Sequence, residues 1–225
     1  MTSSSFPFVL SFTRREDPPV LTTHPLRPPK PAPGSIVYSR FIPAVGQHFD
    51  LYHINPHSAA HFEAYSRWQN SDRVNVGWRE RGDDEHHLRY LLDSLADPHK
   101  MGYIFTWDGE LAGYAEANWT KENGMAAFVG GCGPWDQGTH MLNGEEKFRG
   151  KQRFISIMVS LKHMCFLREP RTDIIIGEPR FDLNIIPLLK HYLPQSIVKE
   201  VELPHKRAMF FELRRERFFL EGQFY

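Results

Sequence analysis

His140 lies in a short segment that alternates polar and apolar residues, Gly138-Thr139-His140-Met141-Leu142. A glycine-bearing basic stretch follows, Phe148-Arg149-Gly150-Lys151-Gln152-Arg153, and a helical apolar pattern begins within it. A neutral imidazole near pH 7 can accept a proton from an attacking group. A glycine just before a helix lets the backbone approach an anion, with the helix's first N–H groups pointing at it. Arg149, Lys151 and Arg153 place positive charge at a helix start, where the dipole disfavours it. That mismatch points to an anionic partner. The chemistry on offer is a base beside a loop that holds phosphates. Two bland readings stand next to it: a histidine packed in a sheet and a solvated basic helix start.

The surrounding pattern predicts the elements that would position these groups. His48–Ile54 reads as a strand and His57–Gln69 as an amphipathic helix, with Ala60, Ala64 and Trp68 on one stripe. Asn70-Ser71-Asp72 breaks that helix. Asp83 and Asp84 cap a second one over His86–Leu95, which Asp97-Pro98 ends. Met101–Trp107 and Leu111–Trp119 form a hairpin about Asp108-Gly109. Lys121–Pro134 reads as a glycine-rich loop or wide hairpin, with Ala126–Val129 a short strand. A strand over Gly138–Leu142 and a helix over Lys151–Leu167 follow. Asp173–Gly177 carries a continuous Ile174-Ile175-Ile176 run and reads as a buried strand. A helix opened by Asp182 or Asn184 runs to about Tyr192, and Ile197–Leu203 and Arg207–Leu213 make a last hairpin. The sum is a mixed α/β sheet with helices on both faces.

Nine of the 17 prolines fall within residues 1–45, which therefore read as an irregular arm or linker, or as the tail of a further domain. Residues 46–225 form the expected folded domain. The 27 basic and 27 acidic residues balance, which argues against a general nucleic-acid binder. Cys132 and Cys165 have no metal-type spacing, so free thiols in a reducing compartment are expected. His53, His57 and His61 recur every four residues, but His53 belongs to a strand and Asn55-Pro56 interrupts the helix, so no metal site is expected. His86-His87 reads as a solvated helix start. No apolar run is long enough for a membrane helix and no secretory leader is visible, so a cytoplasmic protein without a membrane partner is expected.

Several segments together resemble one branch of the GNAT acyltransferases. They are Ser66-Arg67-Trp68-Gln69-Asn70-Ser71-Asp72-Arg73-Val74, Asp108-Gly109-Glu110, Gly113-Tyr114-Ala115-Glu116, Gly138-Thr139-His140, Gly144-Glu145-Glu146, Phe148-Arg149-Gly150, Glu178-Pro179-Arg180 and Pro204-His205-Lys206-Arg207-Ala208. The branch contains hydroxylysine acetylases, mycobactin lysine acyltransferases and fungal hydroxyornithine transacylases. The resemblance implies the GNAT fold and transfer of an acyl group from acyl-CoA to N-hydroxyornithine or N-hydroxylysine in siderophore biosynthesis. It implies no permanently bound cofactor, and other siderophore-pathway enzymes as further partners.

The same resemblance implies roles. His140 would be the general base, and Asp182, after the Glu-Pro segment, would orient the acceptor and polarise His140. Asp182 is equally apt as a helix N-cap. Met141 and Leu142 would supply a backbone amide to the thioester oxygen, and Arg149, Gly150, Lys151, Gln152 and Arg153 would hold the CoA phosphates. Glu116, Trp119, Asp136 and Thr139 would touch the acceptor, although core or hairpin roles suit Glu116 and Trp119 as well. The chain departs from the branch at Gln137, where an arginine is usual, at Leu183, an extra residue, and in the loop Gly130–Trp135, which lacks a tyrosine. Two rival functions remain: a GNAT enzyme acting on an ordinary amine, and a non-catalytic acyltransferase-like binding protein.

Overall fold

A computed structural model of the chain describes residues 7–12 and 21–222. In chain order the elements begin with β1 (Phe8–Phe12), β2 (Leu21–Pro25), β3 (Ile36–Ile42) and β4 (Gln47–His53). Three helices follow, α1 (Ala59–Gln69), α2 (Asp72–Trp78) and α3 (Asp84–Ala96), and then strands β5 (Lys100–Trp107) and β6 (Glu110–Trp119). A short helix α4 (Ala126–Val129) leads to β7 (Gln137–Asn143), α5 (Lys151–Arg168) and β8 (Ile174–Gly177). The chain continues through α6 (Ile186–Tyr192), β9 (Ser196–Leu203), β10 (Lys206–Arg214) and α7 (Arg215–Glu221). β1 and β2 pair as an antiparallel ribbon, and the other strands run β3-β4-β5-β6-β7-β8-β10-β9 in one mixed sheet with helices on both sides. Among the described residues, no helix is long and apolar enough to cross a membrane.

The chain divides into two compact units. The first holds Lys30–Ala117 and His140–Met164. Its hairpin turn needs left-handed backbone at both central residues, and Asp108 (φ 49°) and Gly109 (φ 82°) supply it. Its helices are capped by their own sequence. The Asp83 carboxylate accepts from the His86 N–H at 2.8 Å, and Asp84 and Glu85 suit the positive end of α3. The Ser71 hydroxyl accepts from Val74 N–H and starts α2, which the pattern of breakers at Asn70–Asp72 had hidden. Ile54, Ala64, Tyr65, Trp68, Val74, Leu91, Ile104, Tyr114 and Leu142 form its helix-facing core.

The second unit contains Asn118–Thr139, residues 165–222 and the described residues before Lys30. Its core gathers Met125, Val129, Ile176, Val201, Leu203, Ala208 and Phe210. β7 pairs in parallel with β8 through Gln137–Ile175 and Gly138–Ile176, and β10 pairs antiparallel with β8 and β9.

Several expectations are corrected. The first 45 residues are not irregular throughout, because Leu21–Pro25 and Ile36–Ile42 are strands and Ile42 is fully buried. Ala126–Val129 is helical rather than a strand: Met125 and Val129, four apart, both enter the core, and left-handed Gly130 (φ 76°) ends the turn. Neither Asp182 nor Asn184 opens α6, which starts after Ile185 with proline in its first turn. His87 is not solvated: it is fully buried, with Nδ1 2.9 Å from the Ser66 hydroxyl and Nε2 2.8 Å from the Glu80 carbonyl.

Candidate active site

The β6–β7 pair sets the site in the first unit. Gly144 N–H donates to the Ala112 carbonyl at 2.8 Å, and Thr120 N–H donates to the Asp136 carbonyl at 2.9 Å. Equal lengths of chain separate the two bonds on each strand, so the pairing is antiparallel and in step. Glu116 then stands directly across from His140, and Tyr114 across from Leu142. Tyr114 and Leu142 do share one core cluster, as this register requires. His140 is half-buried, edge-on to Trp78 at the end of α2 with centroids 6.5 Å apart. Trp78 also meets the ring of Tyr114 at 5.6 Å.

Glu116 is buried and densely partnered. Its Oε1 accepts from the Tyr90 hydroxyl at 2.7 Å and from the Tyr114 hydroxyl at 2.8 Å, with Lys100 Nζ at 3.6 Å. Lys100 Nζ also lies 4.3 Å over the Tyr90 ring. Burial pushes the Glu116 carboxyl up, but Lys100, His140 and the two phenols together hold it below the usual carboxylate range. Burial and the Glu116 charge push the hydroxyls of Tyr65, Tyr90 and Tyr114 well up, so all three stay protonated and Tyr90 and Tyr114 can donate to Glu116. Tyr65 stacks on Tyr90 and meets Tyr114 edge-on at 4.9 Å.

Two of the resembling segments are fastened to each other. The Arg67 guanidinium and the Trp68 indole N–H both donate to Glu145 Oε1, at 2.5 and 2.9 Å. Arg73 donates to the Asn143 and Gly144 carbonyls at 2.8 and 2.9 Å. α1 and α2 are thereby clamped to the end of the strand that carries His140. Met141 and Leu142 continue that strand, Met141 half-buried and Leu142 buried.

The glycine loop opens α5 as expected. Gly150 has φ 127°, a conformation reserved for glycine, and a Cβ built there would meet nothing. The first helical bond runs from Phe154 N–H to the Gly150 carbonyl, and the first turn of α5 has no acidic residue. Arg149 and Lys151 are exposed, Arg149 paired with Glu146. Gln152 is half-buried and its carbonyl accepts from Ser156. Arg153 turns inward instead: it donates to Gln47 Oε1 at 2.7 and 3.2 Å and lies over the Phe148 ring.

In the second unit, the expected site residues have firm structural partners. Arg27 is buried, forms two bonds to Glu122 at 2.6 and 2.7 Å, and lies over the rings of Trp119 and Trp135. Trp119 is one wall of this stack. Asp136 is buried and its two oxygens accept from Gly133 and Ile174 N–H groups, tying the turn before β7 to β8. Burial outweighs those bonds and pushes the Asp136 carboxyl up. Thr139 is buried on β7. Asp182 is exposed, with Arg180 taking both oxygens at 3.1 and 2.7 Å, and that pairing holds its carboxyl below the usual range. Tyr90 and Lys100 were not legible beside Glu116 in the sequence, because no local spacing announces partners that arrive from other elements.

The first unit thus holds a histidine on a central strand and, after it, a glycine that opens a helix with a basic, acid-free first turn. Residues 57–191 match the acetyltransferase (GNAT) domain family, and the chain belongs to it. It is 64% identical over 221 residues to an acyltransferase of Mycosarcoma maydis, covering 98% of this chain and 52% of that protein. It is 38% identical over 197 residues to an N(5)-hydroxyornithine:cis-anhydromevalonyl coenzyme A-N(5)-transacylase of Beauveria bassiana, covering 87% and 43%. Its fold is similar to that of an aminoglycoside acetyltransferase solved in complex with coenzyme A, with TM-score 0.66 and 20% identity over 76% of this chain and 97% of that one. The chain spans about half the length of the curated relatives it matches.

Proposed function

We propose that this protein transfers an acyl group from acyl-CoA to the hydroxylated side-chain nitrogen of hydroxyornithine or hydroxylysine. The observation that carries the reading is the placement of His140 on β7, ahead of the open Gly150 turn and α5. The exposed charges of Arg149 and Lys151 and the acid-free first turn of α5 suit the phosphates of CoA. A hydroxylated nitrogen is far less basic than an alkyl amine, so it is largely neutral and nucleophilic near pH 7. It attacks the thioester carbonyl, and a backbone N–H near Met141 or Leu142 stabilises the oxyanion. His140 takes the nitrogen's proton, the C–S bond breaks, and CoA leaves as the thiolate. The product is a hydroxamate. The name of the Beauveria bassiana relative supports hydroxyornithine as the acceptor class.

The test is mass spectrometry of products from a panel of acyl-CoAs with hydroxyornithine, hydroxylysine, ornithine and lysine. Hydroxamate products formed much faster than amides are expected. Equal or better rates on the unhydroxylated amines would remove the hydroxamate assignment.

A further inference from the structure

Glu116 is a buried charged group of the first unit with three polar partners. An ionised carboxylate in a buried site is costly unless it is paired and hydrogen-bonded. Here three donors from three elements converge on one oxygen: Tyr90 from α3, Lys100 from β5 and Tyr114 from β6 itself. A packing role needs no charge at this position, yet the surroundings keep one. The group that faces it across the strand pair is His140.

We propose that Glu116 is the positioning residue for His140, its fixed negative charge stabilising the imidazolium that forms when the acceptor nitrogen gives up its proton. This rests on His140 being the base. The proton passes from nitrogen to imidazole and goes no further, because two phenol hydroxyls and Lys100 keep Glu116 ionised. Cross-strand partners on one face hold their Cβ atoms about 4.5–5.5 Å apart, close enough for a carboxylate and an imidazolium to attract strongly in a site away from bulk water. The low Glu116 carboxyl, with His140 among the groups holding it down, agrees with that attraction seen from the other partner.

The remaining charged and titratable neighbours define the size of the effect. Lys100 offsets part of the carboxylate's field. Tyr65 from α1, Tyr90 and Tyr114 stay neutral, and Glu80, just past α2, acts on Tyr65 and Tyr90. Removing the Glu116 charge should therefore lower the ionisation of His140 by about one pH unit, the small end of what an adjacent opposite charge does.

The experiment is an NMR titration of the His140 ring in the full chain, assigned with His140→Ala. In Glu116→Gln the ionisation should fall by about one unit, and in Glu116→Asp by less. The low-pH limb of kcat/KM should move with it, kcat should fall, and the KM for acyl-CoA should stay. If Glu116→Gln does not fold, Lys100→Met serves with the opposite sign: the His140 ionisation should rise. An unchanged ionisation in the variants that fold overturns the inference. Loss of turnover in His140→Ala together with an unmoved titration in Glu116→Gln overturns it alone. A moved titration with turnover retained in His140→Ala overturns instead the choice of His140 as base.

Discussion

Gly144 shows how a single missing side chain shapes the site. A Cβ built there would lie 2.2 Å from the Trp68 ring, and Trp68 is nearly fully buried and bonded to Glu145. The indole cannot retreat without breaking the clamp that ties α1 to the end of β7. We expect Gly144→Ala to cost about 1–3 kcal/mol, the usual penalty for overpacking a filled core. Chemical denaturation checks this, and a variant as stable as the parent would show that Trp68 has room to move. Residue by residue, the sequence was legible where the chemistry is local. The Gly150 turn and the Asp108-Gly109 turn demand particular backbone angles, and the residue types announce them. Glu116 was legible only as an acid on a strand, because Tyr90 and Lys100 reach it from elsewhere. His87 was misread because its partners, Ser66 and the Glu80 carbonyl, lie outside its own turn.

Among the elements, the segment before β4 changes most between pattern and structure. Its prolines hide ordered pieces. Arg27 is buried against Glu122, Lys30 donates to the Ser94 and Leu95 carbonyls near the end of α3, and Ile36–Ile42 pairs with β4. Removing residues 1–35 would leave the Glu122 carboxylate buried without its guanidinium. Breaking one side of a buried ion pair costs about 3–5 kcal/mol, which in a chain of this size lowers the melting temperature by roughly 10 °C. We expect that drop in Arg27→Met, and at least as large a one in the truncated chain, by differential scanning calorimetry. A truncated chain that melts with the parent would show these contacts to be without consequence. α4 and the start of α6 escaped the sequence for a different reason. Short apolar runs such as Ala126–Val129 carry no period of their own, and the core around Met125 and Val129 decides their shape.

For the whole molecule, the bounds of the long elements proved more readable than the full element order: β1, β2, β3, α2 and α7 were not legible, and Ala126–Val129 took the other type. Long periodic stretches such as Lys151–Arg168 and the two hairpins announce themselves, and residues 57–191, which hold most of them, match the GNAT domain family. One proton transfer, from the acceptor nitrogen to His140, is the decisive step of the proposed reaction, and His140→Ala removes its acceptor. Turnover of hydroxyornithine with acyl-CoA should fall by roughly 10²–10⁴-fold, the span general base catalysis supplies. CoA affinity, measured by calorimetric titration, should survive, because in the proposed reaction the start of α5, not His140, holds the phosphates. Near-parental turnover in a folded, CoA-binding His140→Ala protein would contradict the account.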